Sequence, residues 1–239
     1  GCVQPPAGLV SWWPGDRTAG DGIADDLAGD NNGVLKGGAT FARGQVGKAF
    51  LLDGTEAFVD LGNKESLHVS GRDFTVDAWV NFNSLASLSD RDMAIVDKMT
   101  GIDFDGWRLL LQKESNEFWF CLGGGDQVNG CTRGFDTTVI STTKVTQTDT
   151  WYHVTAVKTA GAISIYVNGA LEATTTTMSP SGIIAFTDTN LVNLLIGSSE
   201  VNPSLLDGLV DEVEIYDRAL SANEIRAIFN AGAEGKCTI

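Results

Sequence analysis

The chain has 239 residues, with 16 Lys and Arg against 31 Asp and Glu, for a formal charge of −15. That excess of carboxylates excludes a generic nucleic-acid binder, which needs cations to displace phosphate counterions, and disfavours docking on anionic membranes. Hydrophobic residues at 43 %, with 28 Gly and 5 Pro, describe a turn-rich chain able to bury a core, and no run approaches the ~18 apolar residues of a membrane-spanning helix.

Taken in order, Gly47–Leu52 and Ala57–Leu61 read as two strands paired around the turn Asp53-Gly54. Phe74–Phe82 alternates with period 2: Phe74, Val76, Ala78, Val80 and Phe82 share one face, and Thr75, Asp77, Trp79 and Asn81 the other. Trp107–Gln112 and Glu117–Cys121 form a hairpin around Lys113–Asn116, with Glu117, Trp119 and Cys121 opposite Phe118 and Phe120. Tyr152–Val157 and Ile163–Val167 form another, and Leu171–Thr176 returns from the turn Asn168-Gly169. Leu194–Gly197 and Leu209–Tyr216 complete the strands. Strict alternation in the last of these sets Glu212 and Glu214 opposite Asp211, Val213 and Ile215. One helix is expected at Ala222–Asn230: Ser221 and Glu224 make a capping box, Ile225, Ile228 and Phe229 line one face, and Gly232 ends it. The whole of 1–239 is therefore expected to be one all-β sandwich or jelly roll with a short C-terminal helix.

The four cysteines make no Cys-x-x-Cys motif, which argues against a zinc ribbon or thioredoxin chemistry. Cys121 and Cys131 bracket a Gly-rich loop that can close on itself, and Cys2 and Cys237 lie at the two ends, which domains often bring together. Two such bridges would imply an oxidising compartment, hence a secreted or cell-surface protein. Four buried thiols, or a lipidated Cys2, are the alternatives.

Several motifs then resemble a family. They are Gly8–Asp16 (GLVSWWPGD), Asp26–Gly33 (DLAGDNNG), Val46–Phe50 leading to Asp53-Gly54, Phe74–Val80, Trp151–Val154 and Ile165–Gly169. The closing stretch Leu206–Ser221 is the most specific. In this order they resemble the bacterial three-class laminin-G modules, whose fold is the concanavalin-A-like jelly roll of two antiparallel sheets. The resemblance implies one structural calcium between an early loop and the last strand. Asp26 and Asp211 match its positions best, with Asn31 and Gly33 adding oxygens. A solvated loop of Asx-turns is the plain alternative.

The fold hosts lectins, adhesion modules and polysaccharide-cleaving enzymes, so function must come from the site. Sugars stack on aromatic rings and bond to planar polar groups. Trp107 and Trp119 on the central hairpin, with Glu117, Asp126, Gln127, Asn129 and Arg133 around the Cys121–Cys131 loop, are the glycan candidates. For catalysis, no Glu-x-Asp-x-x-Glu run occurs, and Asp77 and Glu117 are the strand acids available for an unfamiliar pair. The sequence thus points to a non-catalytic carbohydrate-binding, lectin-like module with structural calcium. It would act as a monomer or as part of a larger multidomain protein, with a polysaccharide or glycan as partner and neither nucleic acid nor membrane insertion. A protein-interaction or adhesion module is the first alternative, and a glycoside hydrolase or polysaccharide lyase the second.

Overall fold

The computed structural model describes residues 1–17, 21–69, 71–100, 106–123, 131, 137–176, 192–200 and 202–238. Among these, the strands in chain order are β1 (Leu9–Trp13), β2 (Ile23–Ala24), β3 (Gly33–Lys36), β4 (Thr40–Arg43), β5 (Lys48–Asp53), β6 (Phe58–Asp60), β7 (Phe74–Phe82) and β8 (Met93–Met99). They continue as β9 (Gly106–Leu111), β10 (Glu117–Leu122), β11 (Thr138–Lys144), β12 (Trp151–Lys158), β13 (Ala162–Val167), β14 (Ala170–Thr176), β15 (Leu195–Ile196) and β16 (Asp207–Tyr216). A single turn, α1 (Ala86–Ser89), and the helix α2 (Ala222–Ala231) are the α-helical elements.

The strands form two antiparallel sheets. The first runs β14-β13-β12-β7-β16-β5-β4, and the second runs β11-β10-β9-β8-β15-β6-β3-β2. Strand β16 is long enough to pair with β5 at its start and with β1 at its end, so the N-terminal strand closes the same sheet edge. This is the two-sheet jelly roll that the period-2 patterns imply. Strands β8 and β11 were not evident in the sequence, since Met93–Met99 and Thr138–Lys144 carry mixed polar and apolar residues with no clean alternation.

The core lies between the sheets. Phe74, Val76, Ala78, Val80 and Phe82 point inward from β7, as their alternation requires. They meet Trp107, Phe118 and Phe120 of the second sheet, where the Phe74 ring lies 5.3 Å from Trp107 and 6.0 Å from Phe120. Each such side chain contributes about 1.5–3 kcal/mol by leaving water.

A second, smaller cluster covers the outer face of the first sheet. Ile225 and Ile228 of α2 pack on Val157, Tyr166, Tyr216 and Leu220. The helix starts where the sequence places it: the Glu224 N–H donates to Ser221 Oγ (3.2 Å) and the Ser221 N–H to Glu224 Oε2 (2.8 Å). Arg218 adds a bidentate pair to Glu224 (2.6 and 2.9 Å), and α2 ends at Gly232 with a positive φ of 52°. Both disulfides are formed, Cys2–Cys237 and Cys121–Cys131. No helix among the described residues is long and apolar enough to cross a membrane.

Candidate functional site

The acidic loop before β3 is a closed knot. The Asp26 carboxylate accepts from Ser11 Oγ (2.7 Å) and from the N–H groups of Trp12 (2.9 Å), Ala28 (3.0 Å), Gly29 (3.0 Å) and Asn31 (3.1 Å). The Asn31 side-chain amide donates to Ser11 Oγ (2.8 Å) and Ser66 Oγ (2.9 Å), while the Asn31 backbone carbonyl accepts from the Trp13 indole (2.8 Å). Gly33 lies in β3, where a Cβ would stand 2.6 Å from Leu61 and 2.8 Å from the Asp60 carbonyl. Calcium needs oxygens with free lone pairs, whereas these carboxylate oxygens face five hydrogen-bond donors. The quartet Asp26, Asn31, Gly33 and Asp211 therefore does not fit one cation: Asp26 and Asn31 are built into this turn, Gly33 begins β3, and Asp211 stands at the turn 44–47.

Asp211 is on β16, wholly buried, opposite Trp79 of β7. Its Oδ2 accepts from the Val46 N–H (2.9 Å), and its Oδ1 has no hydrogen-bond partner. Asp16 reaches the other side of the same turn, accepting from the Lys48 N–H (2.7 Å). Gly44 and Gly47 permit this approach, because a Cβ would lie 2.5 Å from Asp211 Oδ2 at the first and 2.2 Å from Asp16 Oδ1 at the second. Burial, with Glu212 and Asp16 nearby, pushes the Asp211 carboxyl up to about 9. A buried carboxylate met only by the backbone N–H groups of Val46 and Gln45, with Oδ1 left without a hydrogen-bond partner, beside a second carboxylate and a Gly-rich turn, is a donor set suited to a hard cation. Among the described residues no three Asp, Glu, His or Cys side chains form a metal cluster, so backbone carbonyls or water would complete any such shell.

Beyond Asp211 the alternation of β16 breaks. The pairing with β7 shifts between Asp211 and Glu214, and Glu212 adopts φ 51°. This bulge corrects the expected facing: Glu212 and Glu214 join Asp211 on the outer side, while Val213 stays in the core. The Lys236 ammonium enters between the two glutamates, pairing with Glu212 (2.7 Å) and with Glu214, and lies 5.1 Å from the Trp12 ring centre. Tyr216 donates to Glu214. Burial raises Glu214 to about 8 even with the lysine beside it, while Glu214, Glu212 and Asp77 outweigh burial at Lys236 and hold its ammonium above the ordinary lysine value.

Next to this cage, His153 Nε2 sits 2.9 Å from Asp77, which also accepts from the Thr155 hydroxyl. Burial alone would raise Asp77, but His153 against it, with Lys236 and Thr155, brings it below the usual aspartate range. Asp77 and His153 are both fully buried, and Phe229 of α2 stacks on Trp79 above them (5.7 Å). Asp77 therefore faces no groove.

The second sheet separates the two tryptophans of the central hairpin. Trp107 pairs with Leu122, on the face shared with Phe118 and Phe120, and is wholly buried between the sheets. It is a core residue and has no face for a sugar, contrary to the sequence expectation. Trp119 is on the outer face, as expected, but is only 7 % exposed, packed with Met99, Leu110 and Cys121 and against Cys131 and Ile140. Glu117 is on the same face, within 3.9 Å of the Lys144 ammonium. Asp97 on β8 is buried against Arg108 of β9 (2.8 Å). Asp126, Gln127, Asn129 and Arg133 lie outside the described residues. Asp77 and Glu117, the two acids available for catalysis, project from different sheets and form no pair.

A family model, Laminin_G_3 of the concanavalin A-like lectin/glucanases superfamily, matches residues 53–226. The chain belongs to this family. Among curated proteins, mosquitocidal protein 1 of Paraclostridium bifermentans is 24 % identical over 213 residues, which are 86 % of this chain but 16 % of that protein, so the chain spans about a sixth of its relative. The solved binding domain of the same toxin superposes with a TM-score of 0.68 at 19 % identity, covering 94 % of this chain and 52 % of that one. Domain 4 of AbnA, a GH43 extracellular arabinanase of Geobacillus stearothermophilus solved in complex with arabinotriose, gives 0.65 at 20 % identity, covering 91 % of this chain and 96 % of that domain. The binding domain of botulinum neurotoxin DC, solved with rat synaptotagmin II, gives 0.67 at 15 % identity, over 94 % and 51 % of the two chains. At these identities the laminin-G-like fold is what is shared.

The sequence places Asp16 in an acidic cluster with Asp21, Asp25, Asp26 and Asp30 but does not single it out as a partner of Asp211, and it gives no sign of the bulge at Glu212. The partnership is signalled only by the place of Asp16 in Trp-Pro-Gly-Asp ahead of the Gly-rich turn 44–47, and the bulge carries no local signal, since Glu is an uncommon residue at positive φ.

Proposed function

We propose that this laminin-G-like chain is an exported, non-catalytic carbohydrate-binding module that carries a structural calcium. The observation that carries the reading is the placement of its carboxylates. Retaining glycosidases need two acids ~5–5.5 Å apart across a sugar, and inverting ones ~6.5–9.5 Å. Here Asp77 is bonded to His153 beneath α2, and Glu117 stands on the opposite sheet beside Lys144. Support comes from the arabinanase domain, which matches over nearly its whole length and was solved holding arabinotriose. The two disulfides fit an oxidising compartment.

In this reading the glycan meets a rim on the second sheet formed by Trp119 and Glu117 beside the Cys121–Cys131 bridge, with Asp126, Gln127, Asn129 and Arg133, which lie outside the described residues, as further contacts. A covalently closed loop loses less entropy on binding. Calcium would be held by Asp211 and Asp16 rather than Asp26, joining the early loop to the last strand and satisfying the orphan oxygen of Asp211. A protein-interaction module is the second reading, favoured by the toxin binding domain solved with synaptotagmin II.

The test is incubation of the purified chain, with calcium or with EDTA, on a panel of soluble and insoluble polysaccharides, scoring retention and reducing-end release. Retention without release is the expected result. Release of sugars would overturn the non-catalytic reading, and neither signal would favour the protein partner.

A further inference from the structure

The outer face of the first sheet is covered only in part. The helix and the chain ends bury Asp77, Trp79, His153 and Glu214. One residue pair further along the strands, the cover stops. There Thr40 stands opposite Leu51, Leu51 opposite Leu209, Leu209 opposite Asn81, and Asn81 opposite Trp151. These residues make one continuous transverse row over β4, β5, β16, β7 and β12. With strands ~4.8 Å apart, it spans ~19 Å. Every member is exposed or half-exposed, Leu51 at 40 %.

The row borders a cleft of ≈ 200 Å³ lined by Leu51, Leu209, Asn81, Asn83, Asp149 and Asp207. The chemistry is mixed in a specific way. Leu51 and Leu209 form an apolar floor, and Trp151, half-buried, pairs with Asn81 at one end. Asp207 is fixed by Ser84 Oγ (2.7 Å) and the Asn83 amide (3.3 Å). Asp149 is set by its N–H on the Phe82 carbonyl (3.0 Å), with φ 56°. Among the described residues, the side chains of Asn81 and Asp149 take part in no hydrogen bond. Among the described residues no Lys or Arg lines the cleft.

An apolar floor with a ring at its edge suits the C–H faces of a sugar, while carboxylates accept from hydroxyls and planar amides both donate and accept. Two carboxylates with no cation repel uronates and sulfated sugars. We propose that this row is a binding surface for a neutral glycan chain lying across the strands, contacted by Trp151, Asn81, Asp149 and Asp207. It rests on the reading of the chain as a carbohydrate-binding module, and it places a glycan surface on the sheet opposite the Trp119 rim.

The test is affinity electrophoresis of the full chain in gels holding neutral arabinan, xylan or β-glucan, and anionic polygalacturonate. The variants are Trp151→Ala and the double variant Asn81→Ala with Asp149→Ala, each checked for an unchanged melting curve, with Trp119→Ala for comparison. The double variant changes only surface side chains, so it keeps the test open if Trp151→Ala fails to fold. The expected result is retardation by at least one neutral glycan that weakens at least tenfold in the double variant and in Trp151→Ala if folded. Retardation that the row variants leave intact, or that only Trp119→Ala abolishes, overturns the row while the module reading stands. Preference for polygalacturonate overturns the neutral class. No retardation by any glycan overturns the row and the module reading together.

Discussion

Two turns of this molecule each bury an aspartate, and they solve the same problem in opposite ways. At the turn before β3, five hydrogen-bond donors converge on Asp26, three of them N–H groups of its own turn. On β16, Asp211 has only the backbone N–H groups of Val46 and Gln45 as donors, an unpartnered Oδ1, and Asp16 and Glu212 as neighbours. The first carboxylate is complete within the chain. The second is complete only with a proton or a cation. Glu212 and Glu214, one and three residues later, show a third solution, in which the cation is Lys236 of the chain itself. A carboxylate in a family motif is thus no guide to a metal until its other partners are known.

The comparison can be broken or sharpened by substitution. The largest effect is expected from replacing Cys2 and Cys237 by Ser together, because the bridge closes 235 residues and holds Lys236 in its cage. Chain-entropy reasoning gives a loss of roughly 5 kcal/mol, read from the urea midpoint. Lys236→Met, which strands two buried glutamates, should cost about 3–5 kcal/mol at pH 8 and clearly less at pH 5, where they take up protons. An equal deficit at both pH values would mean that the lysine acts by packing alone.

Asp26→Ala leaves its donors unpaired and should cost about 3–4 kcal/mol, near 10 °C in Tm, with no dependence on calcium. If that variant instead abolished a calcium response of the chain, the closed knot would be the metal site after all.

Asp211→Asn should have the smallest effect and the opposite sign. The folded value of Asp211, about 9, lies above its ordinary 3.8, so the native state holds the extra proton between them. Stability from this group is therefore full below about pH 4 and drains as pH rises towards 9. In EDTA at pH 8 the asparagine variant should melt a few degrees above the parent, with a flatter pH profile. Calcium should raise the Tm of the parent and not of the variant. Calcium-induced stabilisation that survives the substitution would remove Asp211 from the site.

Where the signal is a periodicity or a cap within one element, the fold was legible, whereas the turn Asp53-Gly54, expected to pair its flanking strands, instead carries the chain from β5 in the first sheet to β6 in the second. The Ser221–Glu224 box, the alternation of Phe74–Phe82 and the division of Glu117–Cys121 into two faces depend on neighbours in sequence, and all three are found. The failures are non-local. Trp107 needed the hairpin register, which pairs it with Leu122 and so turns it inward with Phe118 and Phe120. The facing of Glu212 needed a bulge that period-2 counting cannot contain. The donors on Asp26 are mainly backbone N–H groups, which no residue type announces. The row from Thr40 to Trp151 takes one residue from each of five strands, so it exists only once the sheet order is known.

Val3 and Lys236 form a parallel bridge beside the Cys2–Cys237 bond, so residues 2 and 237 meet at one point on the surface. Tension applied between those points runs through a covalent link and bypasses every strand. The sheets would feel almost no load, and stretching the chain from both ends should give no unfolding step until the bond is reduced. In mechanical terms the domain is a locked ring rather than a spring, and both sheets would keep their shape under tension.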